Sequence, residues 1–160
     1  MRVAWFLLTV PVLAGCGASP AAKAPPAATH HAAARLTLKA FTTEGNLVCL
    51  RSDRRVYRLG ALSRNPVGWA KVAGAASLGI AEMKKLRPPL ADQPRFHHLI
   101  VLAERLADEI VDVHGALVSR SYAAARNDQA AARILTTKIH AQAQKLGLTF
   151  CQQALTNWPA

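Results

Sequence analysis

Between Leu99 and Leu117, apolar residues recur at alternating intervals of four and three: Leu99, Ala103, Leu106, Ile110, Val113 and Leu117. That is the a/d repeat of a helix burying one seam against its neighbours, and a strand, with its period of two, cannot present those positions on one face. The opposite side agrees: Glu104, Asp108 and Asp112 fall at b, f and c of the same frame, away from the seam. The surrounding chain reads as one long helix from near Asp92, with Pro94 in its first turn, to about Arg126. Asn127 and Asp128 then read as a tight turn, with Asp128 capping a fourth helix. The seam of that helix runs through Ala132, Leu135, Ile139, Gln142 and Leu146 to a C-cap at Gly147. A last helical turn covers Thr149 to Leu155.

Upstream, a first helix is expected from Thr43 to Leu59, capped by Thr42 or Thr43, and Gly60 to Pro66 reads as a connection. A second helix runs from Val67 to Leu86 and is stopped by Pro88-Pro89. Its Gly68, Gly74 and Gly79 each lower helicity by ~1 kcal/mol relative to Ala, so close packing must supply its stability. Four helices with short connections favour an all-α fold, an antiparallel up-down-up-down four-helix bundle. A chain of 160 residues supports one such core.

The N-terminus has a different character. Met1 and Arg2 form a basic start, and Val3 to Val12 an apolar run of the length of a secretory h-region, too short for the ~20 residues of a membrane span. The following Leu13-Ala14-Gly15-Cys16 resembles the lipobox of bacterial lipoproteins. The resemblance implies cleavage before Cys16, a diacylglycerol on its thiol and a new amino terminus open to acylation, palmitate included. Cys16 is then a lipid anchor on the extracytoplasmic face of the cell membrane. Gly17 in place of Asp leaves outer-membrane sorting open if the cell is Gram-negative. The expected organisation is a lipoprotein signal peptide at 1–15, a lipidated, disordered tether at 16–35 and a helical bundle domain at 36–160. Residues 17–34 hold Pro, Ala, Gly, Ser, Thr, Lys and His but no large apolar side chain, so nothing there offsets the entropy of folding. His30 and His31 read as a solvated pair in that tether.

In the expected topology the fourth helix descends to the end at which the first begins. Cys151 then lies near Cys49. With Cys16 assigned to lipid, two cysteines remain in an oxidising compartment, and a bridge over roughly a hundred residues contributes up to ~4.7 kcal/mol in the chain-entropy account. Two buried free thiols are the alternative. Cys49, Pro88-Pro89 and the ending Leu146-Gly147-Leu148-Thr149-Phe150-Cys151 resemble a loose group of helical lipoproteins of high-GC actinobacteria. Those proteins share a lipobox, a low-complexity tether and a helical domain closed by two such cysteines. The likeness implies architecture and envelope location, without an activity.

Catalytic signatures are missing: the sequence contains no H-E-x-x-H, G-x-S-x-G, Walker A or G-x-G-x-x-G. Gly74-Ala75-Ala76-Ser77-Leu78-Gly79 lies inside a helical seam with no preceding strand, so it reads as close helix packing. His97, His98 and His114 fall at b, c and e of the third helix, His140 lies on the fourth, and the Glu-x-x-His pairs of carboxylate-bridged bundle sites are lacking. No cofactor, metal site or catalytic role is expected.

The basic residues are more informative. Lys and Arg number 20 against 9 Asp and Glu, a formal charge of +11. Arg51, Arg54, Arg55 and Arg58 lie at i, i+3, i+4 and i+7, on one side of the first helix with Tyr57 beside them. Such a stripe suits an anionic envelope polymer, anionic lipid headgroups or an acidic protein; the plain alternative is a solvated face balanced by Asp53. Nucleic acid is not an expected partner for an envelope-anchored chain. The sequence therefore reads as a lipid-anchored cell-envelope binding module whose arginine face meets an anionic partner. One rival is a small-ligand or metal carrier, using a cavity beside the Gly- and Ala-rich second helix or the acidic ladder with His114. The other is a structural envelope protein without a ligand site.

Overall fold

The computed structural model describes residues 34–59 and 65–153. The lipobox-like Leu13–Cys16, residues 17–33 of the expected tether with His30 and His31, and the connection 60–64 lie outside the described residues. Within them the chain is all-helical, with four long helices. The elements are α1 (Leu38–Tyr57), α2 (Pro66–Lys84), a 3-10 turn (Leu90–Asp92), α3 (Gln93–Val118), α4 (Tyr122–Lys145) and a short α5 (Thr149–Gln153). No helix among the described residues is long and apolar enough to cross a membrane.

The helix ends have local causes, and two of them differ from expectation. α1 is capped by Thr37, whose hydroxyl accepts the Ala40 N–H at 3.2 Å, rather than by Thr42 or Thr43. Thr42 lies inside the helix and donates back to the Leu38 and Lys39 carbonyls. The earlier start brings Phe41 into the core, where its ring meets Phe96 edge-on at 5.3 Å. α2 opens within a residue of the expected Val67: the Asn65 side chain accepts the Val67 N–H at 3.0 Å, and Pro66, expected in the connection, stands at the first helical position.

The second correction concerns the turn between α3 and α4, which lies at 119–121; Asn127 and Asp128 are interior to α4. Arg120 adopts a left-handed backbone, φ 58°. The Ser121 N–H donates to the Ala116 carbonyl (2.8 Å) and the Arg120 N–H to that of Leu117 (3.2 Å). These are the two bonds of a Schellman stop, built here on arginine where glycine is usual. α4 ends in the same way: Leu148 N–H donates to Ala143 and Gly147 N–H to Gln144, with Gly147 at φ 69°.

The expected seam of α3 is buried at Leu99, Leu106, Ile110, Val113 and Leu117, with Ala103 half-buried, and Phe96, Ile100 and Leu102 widen it. It packs with Ala125, Ala132, Ile139 and Ala143 of α4 and with Trp69, Val72 and Met83 of α2. Buried Gln142 donates from Nε2 to the Arg95 carbonyl at 2.8 Å, which satisfies its amide N–H. The Leu36 N–H donates to the Arg87 carbonyl at 2.8 Å, so the chain entering α1 is pinned beside the chain leaving α2.

α1 has unusual neighbours. It lies against α2 and α5, and among the described residues its Cα atoms nowhere come within 8 Å of those of α4. The connection on that side is made by Leu148, fully buried, and by α5. The sulfurs of Cys49 and Cys151 are at bonding distance, with Cα atoms 4.9 Å apart, and the Asn46 side chain accepts the Phe150 N–H at 2.9 Å.

Candidate functional site: an apolar cavity beside a neutralised arginine pair

The arginine stripe splits in two. Arg51 and Arg55 face α2, where both grip one carboxylate: Arg51 Nε and Nη2 donate to Glu82 Oε2 (3.2 and 3.0 Å), and Arg55 Nη2 donates to Oε1 at 2.6 Å. The hydrogen bonds from Arg55 and then Arg51 hold the Glu82 carboxyl below the usual carboxylate range. Arg54 and Arg58 are exposed and have no acidic partner among the described residues. Asp53, the local partner in the alternative of a solvated face, takes no part in these pairs, and burial pushes its carboxyl upward.

The acidic ladder is likewise divided. Glu104 pairs with Lys84 of α2, while Asp108 and Asp112 are exposed. The Glu109 carboxyl is pushed upward, first by burial and then by Asp128, Asp112 and Asp108. His114 does not turn to the ladder: its Nδ1 lies 2.9 Å from the Pro66 carbonyl, to which it donates. His97 and His98 are exposed, as their heptad positions imply. Burial lowers the His140 imidazole, whose Nε2 is buried without a hydrogen-bond partner. Among the described residues no group of three His, Cys, Asp or Glu side chains comes together as a metal site would require.

An apolar cavity of about 130 Å³, partly open to the surface, lies between α1, α2 and α3. α1 contributes Val48, Ser52 and Val56; α2 contributes Ala75, Ala76, Gly79, Ile80 and Met83; and α3 contributes Leu99, Ile100, Ala103 and Leu106. Ile139 and the Cys49–Cys151 pair complete the lining. The cavity has a steric origin. At one place α1 and α2 approach so closely that a Cβ on Gly79 would collide with the Ser52 hydroxyl. Beside that crossing, Ala75, Ala76 and Ala103 are too short to fill the space between the helices.

No charged side chain lines this space, and its one hydroxyl, Ser52 Oγ, is buried without a hydrogen-bond partner. The glycine- and alanine-rich run of α2, read from sequence as close packing, therefore does two things. Gly79 makes a close contact, Ala75 and Ala76 wall a cavity, and Gly74 is exposed with nothing near it. Two functional features had no sequence signal strong enough to find them: the Glu82 bridge, whose partners are remote in the chain, and the unpaired Ser52 hydroxyl. No family model, curated protein or solved structure matches the chain.

Proposed function

We propose that the protein is a lipid-anchored, extracytoplasmic binding domain that holds a small apolar ligand in the cavity between α1, α2 and α3. The cavity carries this reading: it is lined by aliphatic side chains, is partly open to the surface, and its volume of about 130 Å³ is near the ~150 Å³ that accommodates benzene or xenon. In this reading Cys16 bears the lipid, residues 17–35 hold the domain off the bilayer, and the helices run up-down-up-down. Three contacts support that course: Leu36 with Arg87, Pro66 with His114, and Arg95 with Gln142, each joining the start of one helix region to the end of another. The domain acts by binding, not by catalysis.

Xenon NMR on the full chain tests the cavity. A bound-xenon shift is expected that disappears in both Ala76→Leu and Ala103→Leu, each of which fills part of the space. An unchanged shift in both variants would remove this reading. A second reading, contact with an anionic envelope polymer, lipid or acidic protein, is favoured by the exposure of Arg54 and Arg58 and applies to those two residues rather than to all four. Co-sedimentation with anionic vesicles should fall in Arg54→Gln/Arg58→Gln and stay unchanged in Arg51→Gln.

A further inference from the structure

We propose that the outer face of α4 docks on an anionic phospholipid bilayer: Arg126, Arg133, Lys138 and Lys145 meet headgroup phosphates, and Ile134 enters the headgroup layer between them. The inference rests neither on the cavity nor on Arg54 and Arg58. α4 packs on α3 and α5, and among the described residues its Cα atoms nowhere come within 8 Å of those of α1 or α2. The side turned away from α3 is therefore left exposed. All four cations stand there, along about 28 Å of helix, and none has a carboxylate partner among the described residues. On each of the other long helices at least one cation is paired: Arg51 and Arg55 with Glu82, Lys84 with Glu104, and Arg95 with Asp92. The only carboxylate of α4, Asp128, lies round the helix toward Glu109, whose carboxyl is pushed upward by burial and then by Asp128.

The arrangement of these charges around the helix selects the partner. At about 100° per residue, Arg126 and Arg133 form one row and Lys138 and Lys145 a second, about 140° away. Between the rows runs a strip without charge: Ala130, Ile134, Thr137 and Ala141, all exposed. Ile134 is 59% exposed, and the Thr137 hydroxyl is spent on the Arg133 carbonyl, to which it donates at 3.2 Å. A polyanion in solution needs only the cations. A bilayer surface also uses the strip, because its phosphates lie above hydrocarbon: small and aliphatic side chains sink toward the acyl chains while Lys and Arg reach back to the headgroups.

Trace acetylation of the lysines of the full chain, read by mass spectrometry, tests this in vesicles of phosphatidylcholine alone and of phosphatidylcholine with phosphatidylglycerol. Any attachment through the N-terminal segment is common to both, and exposed Lys71 on α2 is the internal reference. In the anionic vesicles alone, Lys138 and Lys145 should lose at least about threefold in reactivity relative to Lys71. Arg126→Gln/Arg133→Gln should abolish that protection, at about a fivefold loss of docking per charge removed, and Ile134→Ser should weaken docking about fivefold. An unchanged ratio to Lys71 between the two vesicle types overturns the proposal. So does protection that is lost in Arg54→Gln/Arg58→Gln and kept in Arg126→Gln/Arg133→Gln, which would put the contact on α1. If Ile134→Ser keeps full protection and soluble polyphosphate shields both lysines as well as the vesicles do, the partner is a polyanion and the bilayer is overturned.

Discussion

The α3–α4 hairpin and the α1–α5 end of the molecule are held by different means. Eight of the 26 residues of α3 are buried, against three of the 20 in α1. α3 is gripped along its length by a side-chain seam, whereas α1 is fixed at points: Phe41 on Phe96, Ser52 on Gly79, Glu82 between two arginines, and Cys49 on Cys151. A seam excludes voids because each residue fills the gap between its neighbours; a point-fixed helix leaves space between its fixings. The cavity lies in that space, between the point-fixed α1 and the stretch of the α3 seam at Leu99, Ala103 and Leu106, where the seam meets α1 and α2 instead of α4 alone.

The comparison breaks most visibly at Ile110, which is fully buried in the seam. Ile110→Ala should cost about 4 kcal/mol in chemical denaturation followed by circular dichroism, the upper range for such truncations, because a seam gripped on all sides cannot collapse around the hole. A loss under 1 kcal/mol would mean that the hairpin is no better packed than α1. With Cys49 and Cys151 at bonding distance across 102 positions, Cys49→Ser/Cys151→Ser should cost about 3 kcal/mol, the worth of a bridge closing such a loop. Its effect should also be local. In hydrogen exchange, amides of α1 and α5 should lose protection before those of α3, and equal loss in both would erase the distinction between seam and points.

Glu82 tests the fixing by charge. Glu82→Gln should cost about 1 kcal/mol at neutral pH, a modest figure because the Arg51 side chain is half exposed. The Glu82 carboxyl is lowered in the folded state, so its contribution is fully present above the ordinary glutamate range near pH ~4.3. It fades as pH falls through the lower folded value. The stability difference between wild type and variant should therefore close in acid. A difference that widens in acid would show that Glu82 is not held by its arginines. Glu109 and Asp53 carry the opposite sign, their raised carboxyls favouring the folded state as they protonate, so the acid limb must be read as this difference and not from wild type alone.

The sequence made the hairpin legible and the α1 seat largely illegible, for the same physical reason. Burial along a helix leaves a period, and Leu99 to Leu117 carry it openly. A point contact leaves none. The bridge from Arg51 and Arg55 to Glu82 spans 31 and 27 positions, and nothing in α1 alone prefers Glu82 to the nearby Asp53. The space beside Ala75 and Ala76 is a missing volume, which small residues permit but do not announce, since the same residues also signal tight packing at Gly79. Cys49 and Cys151 are the exception: few cysteines in the chain made their pairing an expectation, and the sulfurs are at bonding distance. The Thr37 cap is hidden in the sequence because Thr42 and Thr43 offer the same chemistry closer to the apolar run.

The end of α3 is not legible in the sequence because its stop is built on arginine and not glycine, and this yields the smallest and sharpest test. Arg120 holds φ 58°, where a Cβ crowds the following carbonyl at a cost of about 1–2 kcal/mol. The two Schellman bonds at Ala116 and Leu117 require that geometry whatever the side chain is. Arg120→Gly removes the crowding and makes the unfolded chain more flexible, which takes back about 0.5–1 kcal/mol. The net gain should be about 0.5–1 kcal/mol, read as a small rise in Tm with cavity binding unchanged. The matching change at the end of α4, Gly147→Ala, should run the other way and cost more, because its Cβ would also press on Thr42 Cγ2 at 3.2 Å. A variant at 120 that destabilises would mean that the arginine side chain anchors the turn. The hairpin would then depend on a point contact of its own, and the contrast with α1 would narrow.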